Sequence, residues 1–282
     1  MGGGLLQLVA HGAQDAYLSG NPQITFWKGL FKRHTNFAME PFRINLTGMP
    51  MWGQKQSATL GRHADLVYST YLQTVLPTQT SGGTDIWWNN EQGRLGYNLL
   101  DYVELEVGGQ LIDRLYSEWM YLWDTLASDY NTSFKLNSMV SGGLTTPGYS
   151  RFPLSTSCTT TGARTGRPSQ PNTVFTPLPF FYTKNPGAAL PLIALQYHEV
   201  KINILWNKSQ FVGHVGSVVP TSITSLVAPP APTSVALYVD YIYLDVDERR
   251  RMAQESHEYL IDQVQFNEDK GMSSASNRID LT

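Results

Sequence analysis

The residues with the best claim to chemistry are His198-Glu199, the carboxylates Asp245, Asp247 and Glu248, and the run Arg249-Arg250-Arg251. A zinc protease needs two histidines four apart on a helix, with a glutamate base beside the first. Here Ile202 stands where the second histidine belongs. His198 also alternates in phase with Val200, Ile202, Ile204 and Trp206, so a hydrogen-bonded histidine on the apolar face of a strand is expected. The three carboxylates lack the glycine and distal glutamate of a calcium loop, which leaves a solvated strand end. The arginines have the charge to meet phosphate, but Glu248 before them and Glu255 after them favour a salt-bridged helical turn. Gly2-Gly3-Gly4 follows no strand and so cannot cradle phosphate. The lone Cys158 forms neither an intramolecular disulfide nor a cysteine-based zinc site. Three sequons, at Asn45, Asn131 and Asn207, are expected by chance in such a chain, and only Asn131 falls on an expected loop. No G-x-S-x-G elbow, Walker loop or H-E-x-x-H motif occurs. No catalytic, cofactor-binding or metal-binding residue is assigned, and an enzyme reading fails at each motif.

Elements that present no reactive site must be doing something else, and composition narrows what. The 282 residues are 41% hydrophobic and 12% aromatic, ample for a packed core, while charged residues make up only 15%. A soluble domain usually carries about 25% charged residues. Twenty-four glycines and sixteen prolines favour many turns between strands. A net charge of −3 argues against a non-specific grip on nucleic acid. The imbalance is local: ten acidic against five basic residues fall between Asp240 and Thr282. The opening Met1-Gly2-Gly3-Gly4-Leu5-Leu6 lacks a basic flank and a long apolar run, so it does not read as a secretory signal. Leu6 breaks the myristoylation motif that Gly2 would begin.

Period-two alternation starts near Glu40, with Phe42, Ile44 and Leu46 opposite Arg43, Asn45 and Thr47. Further strands are expected over 54–60, 66–76, 98–107, 110–115, 178–183, 192–206 and 235–246, the last apolar on both faces and therefore central. Gly108-Gly109 makes a two-residue hairpin turn between two of them. One helix is expected from Ser117, its cap, to Asp129, with Trp119, Leu122, Trp123 and Leu126 as the apolar stripe. Residues 131–176 are poor in large apolar side chains and read as an exposed loop. The expected fold is all-β: an antiparallel β-sandwich of jelly-roll type with long loops and one short helix. Residues 1–37 read as an N-terminal arm, in which Trp27, Phe31, Lys28 and Lys32 could form a short amphipathic turn against protein or membrane.

Four blocks carry the reading further. They are Leu6-Gln7-Leu8-Val9-Ala10-His11-Gly12 through Arg33-His34-Thr35-Asn36-Phe37; Val103-Glu104-Leu105-Glu106-Val107-Gly108-Gly109-Gln110 with Trp119 and Trp123; Asn185-Pro186-Gly187-Ala188-Ala189-Leu190-Pro191 through Val200; and Tyr243-Leu244-Asp245 with Glu248-Arg249-Arg250-Arg251. In this order they resemble the major capsid proteins of nucleocytoplasmic large DNA viruses, a double jelly-roll family. His63-Ala64 departs from the family's Asn-Gly turn before Asp65-Leu66. The resemblance implies a structural protein of the virion, forming trimeric pseudo-hexagonal capsomers in an icosahedral shell assembled in the host cytoplasm. It implies contacts with neighbouring capsomers and minor capsid proteins, and an N-terminal arm near an internal viral membrane. It implies no cofactor and no specific nucleic acid. The domain reading is an arm over 1–37, a first jelly roll over 38–255, and a linker with the truncated start of a second jelly roll over 256–282. Tyr259, Ile261, Val264 and Phe266 are expected to lack partners in the first sandwich. Composition alone leaves a carbohydrate-binding, lectin-like β-sandwich as the alternative.

Overall fold

The computed structural model describes residues 35–78, 84, 86–90, 94–141, 148–150, 172–215 and 227–266. The amphipathic turn at Trp27 and Phe31, Cys158 and the last sixteen residues lie outside them. Contacts divide the chain into Met1–Asn36 and Phe37–Thr282, and every described strand belongs to the second unit.

Two antiparallel sheets carry the architecture. The first runs in the order β1 (Phe37–Asn45), β12 (Ser234–Leu244), β3 (Leu66–Leu76), β8 (Asn172–Pro177), with the short β9 (Leu190–Pro191) beside one end of β3. The second runs β2 (Lys55–Thr59), β10 (Val200–Trp206), β5 (Leu100–Val107), β6 (Gln110–Tyr116). Ranked along the chain, these eight strands stand 1-8-3-6 in one sheet and 2-7-4-5 in the other. That is one long antiparallel hairpin, 1 with 8, 2 with 7, 3 with 6 and 4 with 5, rolled so that alternate pairs fall in alternate sheets. It is the jelly roll. The β2–β3 connection therefore joins different sheets and is no hairpin turn, which is why His63-Ala64 can replace a tight Asn-Gly: His63 instead stacks on Phe42 at 4.6 Å.

Alternation decides what lies between the sheets. Val103, Leu105, Val200, Ile202 and Ile204 are buried as expected, and Val107 is partly buried. Leu72, Leu76, Leu237, Val239 and Tyr241 face them from the first sheet. β12 is central, paired with β1 on one side and β3 on the other. Gly108 and Gly109 adopt φ of 59° and 84°, conformations that favour glycine, and close the β5–β6 turn.

Several expectations fail, each for a local reason. The single helix is joined by others: α1 (Leu95–Asn98), α2 (Ser117–Ala127), α3 (Tyr130–Val140), α4 (Phe181–Lys184), α5 (Ser209–Val212) and α6 (Val246–Gln254). α3 occupies the start of the expected exposed loop. Buried Val140 anchors its C-terminal end and half-buried Ser133, Leu136 and Asn137 continue that side, while the remaining side chains are exposed. Ser117 is the first helical residue and makes no side-chain cap. α2 buries Met120 and Asp124, with Trp119 and Trp123 only partly covered and Leu122 and Leu126 exposed. The strand expected over 178–183 lies earlier, at β8, and 181–184 is helical. The strand expected over 192–206 begins only at Val200, because residues 191–195 turn, with Ala194 and Leu195 N–H donating to the Pro191 carbonyl.

Candidate functional site

The residues singled out for chemistry are dispersed. That turn leaves His198 exposed ahead of β10, so it is not a core histidine; Glu199 pairs with Lys201 at 2.8 Å. Asp245 caps α6 by accepting the Val246 N–H at 2.7 Å. Within the arginine run, Arg251 pairs with Glu255 and Arg250 with Asp247, as a salt-bridged helical turn would. Arg249 instead leaves the helix to reach Asp65 at 3.0 Å, a buried carboxylate that also accepts the Leu244 N–H. Only tertiary packing could bring that partner from 184 residues away. Asn131 lies on helix α3 and not on a loop, and the Asn207 amide already donates to the Asn98 carbonyl. Among the described residues no three histidine, cysteine or acidic side chains gather in a metal-binding group.

What the strands do position is surface. On the outside of the β2-β10-β5-β6 sheet, Glu104 is buried beneath Lys55 and Arg114, whose guanidinium donates to it at 2.9 and 2.5 Å. Burial pushes the Glu104 carboxyl up, but these hydrogen bonds outweigh it and hold the group below the ordinary carboxylate range. Asn203 donates to Glu106 at 2.9 Å, which extends the polar ladder. On the outside of the other sheet, Tyr71 pairs directly with Tyr238, and Phe175 lies edge-on to Tyr238 at 6.4 Å. Phe37 and Met39 on β1 continue that side, 61% and 48% exposed. Aromatic and sulfur-bearing groups at this exposure mark a surface suited to protein contact.

One end of the sandwich is built by its loops. β4 (Ile86–Asn90), between β3 and β5, pairs with β11 (Gly213–Val215), between β10 and β12, and with β7 (Gly148–Ser150), between β6 and β8. Three separate connections thus share a three-stranded sheet, in which Trp88 is fully buried. A sheet shared between loops makes their presentation rigid. Beside it, Arg94 donates to Asp124 at 2.7 Å and to Ser133 at 3.0 Å, tying α1, α2 and α3 together. The nearby Tyr97 hydroxyl is pushed far up by burial and by the Asp124 charge.

The segment after α6 packs where the sequence offered no partner. Tyr259, Ile261 and Val264 lie partly buried on the core, and the Phe266 ring lies 4.3 Å from that of Tyr116. The signal missed was the edge of β6, which no local pattern marks as uncovered.

This geometry has relatives. A family model described as the major capsid protein N-terminus matches residues 25–245. The major capsid protein of Phaeocystis pouchetii virus is 44% identical over 301 residues, covering 100% of this chain and 56% of that protein. That of Paramecium bursaria Chlorella virus 1 is 40% identical over 267 residues, covering 94% and 53%. Among solved structures, the PBCV-1 virus capsid matches with a TM-score of 0.63 and 31% identity, over 86% of this chain and 50% of that one. The Faustovirus major capsid protein shares the fold at a TM-score of 0.53 and 11% identity, over 86% and 60%. The chain spans about half the length of the curated relatives it matches.

Proposed function

The chain belongs to the major capsid protein family, and from that premise we propose that it builds the shell of a large DNA virus. The observation that carries this is the extent of the family match, from residue 25 to 245, which takes in every strand of both sheets. Rigid paired sheets whose loops share a sheet at one end suit a wall subunit, because function then resides in flanks and edges and needs no reactive group. Three copies would form a pseudo-hexagonal capsomer, meeting neighbouring capsomers and minor capsid proteins, with the arm over residues 1–37 directed to an internal membrane. Assembly would take place in the host cytoplasm, and the protein would catalyse no reaction. The comparisons lend the lectin-like alternative no support.

The experiment is immunogold electron microscopy of particles from infected cells, joined to native mass spectrometry of purified capsomers. Label along the facets of icosahedral particles and a mass of three copies are expected. Label confined to structures other than virions would overturn the capsid reading, and a dimer or monomer as the shell unit would overturn the trimer.

A further inference from the structure

The connection from β2 to β3 crosses from one sheet to the other, and three basic side chains collect where it passes. Arg62 and His63 lie on that connection, and Arg249 lies near the start of α6. They line one open cleft of about 320 Å³, together with Asp65, Gln196 and Tyr243.

Each basic group is fixed in place. Arg62 Nη2 donates to the Leu195 carbonyl at 2.5 Å, and Arg249 Nη2 to Asp65 Oδ2 at 3.0 Å. The His63 imidazole lies nearly parallel to Phe42 at 4.6 Å and edge-on to Tyr241 at 5.4 Å. Gly61 makes room for it, since a Cβ there would stand 2.7 Å from His63 Nε2. The Ile193 N–H donates to the Asp65 carbonyl at 3.1 Å, so the turn that holds Arg62 is itself tied to the connection. Among the described residues each guanidinium uses one nitrogen in these bonds and has no other partner, while His63 makes ring contacts alone. Donors held still and not yet used suit an anion, because little ordering remains to be done when it arrives.

Charge and shape narrow the ligand. Among the described residues lining the cleft only Asp65 is a carboxylate, and Arg249 and the Leu244 N–H already hold it. Two arginines against one carboxylate leave one positive charge in excess, with the imidazole as a further donor. A guanidinium fork matches carboxylate and phosphate oxygens alike. Three donor groups from separate parts of the chain ask for three acceptor oxygens, which a terminal phosphate has and a carboxylate lacks.

We propose that this cleft binds a phosphate group through Arg62, His63 and Arg249. A terminal phosphate occurs both on soluble phosphates and on acidic lipid headgroups, and the chemistry of recognition is the same. The site rests on these side chains and their charge, and does not depend on a role in a shell.

The test is a titration of the full 282-residue chain with inorganic phosphate at constant ionic strength, followed by amide NMR. Saturable shifts are expected at residues 61–65, 193–196 and 243–249. Arg62→Gln removes one guanidinium without touching the Asp65–Arg249 pair, and should weaken binding roughly tenfold, as for one charge-assisted hydrogen bond. His63→Phe keeps a ring to stack on Phe42 but removes both nitrogens, and should weaken binding by a smaller factor. Lys208→Gln, at an exposed cation outside the cleft, should leave it unchanged. Flotation with vesicles containing phosphatidic acid, against phosphatidylcholine alone, separates the sources. Co-flotation that Arg62→Gln abolishes assigns the site to a lipid headgroup; phosphate binding without it assigns the site to a soluble phosphate. Absent or unsaturable shifts overturn the proposal. So does an Arg62→Gln chain that binds like the parent, or an equal loss in Lys208→Gln.

Discussion

On the outside of the β2-β10-β5-β6 sheet a buried carboxylate, Glu104, sits under two cations; on the outside of the β1-β12-β3-β8 sheet Tyr71, Tyr238 and Phe175 cluster, with Arg43 opposite Tyr238 and the Asp240 charge acting on Tyr71. The inner faces of the two sheets are chemically alike, both aliphatic with a few aromatic rings. The difference therefore cannot come from the fold, which asks only that one side of each strand be apolar. It comes from what each outer side meets. A polar ladder satisfies itself and can stand in water, whereas an aromatic outer face gains from being covered.

The comparison breaks most readily at the core the sheets share. Trp206 is buried at the end of β10, lies edge-on to Trp52 at 5.8 Å, and donates to Gln56 at 2.8 Å. Trp206→Ala should cost about 3–5 kcal/mol in a denaturant titration; a loss below about 1 kcal/mol would mean that the inner faces do not carry the stability.

Next in size is the ladder. Glu104→Ala should cost about 1–2 kcal/mol, the lower part of the range for a charged hydrogen bond, since Lys55 and Arg114 are 47% and 38% exposed and rehydrate. The pH sign follows from the lowered carboxyl. Its contribution is complete above the ordinary value of 4.5 and is lost as pH falls through the depressed folded value. Glu104→Gln should therefore flatten the acid limb of the stability profile below about pH 4.5, and an unchanged limb would remove Glu104 as its source.

Trp123 tests the ground between core and surface. It is partly covered, packs on Trp119 at 6.1 Å, and lies under the Lys184 ammonium at 4.3 Å. Trp123→Ala should cost about 1–2 kcal/mol, less than full burial would give; a melting temperature equal to that of the parent would show that these contacts are idle. The smallest effect belongs to the exposed side of β1. Phe37→Ser with Met39→Ser should change stability by no more than about 0.5 kcal/mol while lowering the yield of assembled capsomers. Full assembly from that variant would show that this side stays uncovered.

Much of this molecule was legible from residue order. β3 has the bounds read from its apolar run, β12 is central as its two apolar faces require, and Gly108-Gly109 turns where only positive φ fits. Those features are local: a period of two or a backbone angle is set by neighbours in sequence. The resemblance blocks placed the family as well. Three kinds of feature were not legible. His198 left the strand because Leu190-Pro191 pairs with β3 and forces a turn, a constraint from a strand more than a hundred residues away. Arg249 found Asp65 and not a neighbour in its own helix, although local spacing offered one. Tyr259, Ile261 and Val264 found the flank of β6. In each case the deciding partner is distant in sequence, and several groups competed for the same residue. Alternation along the chain could say which side of a strand is buried; only the rolled hairpin decides which edges, carboxylates and apolar flanks remain to be claimed, because closing the chain on itself sets which groups meet.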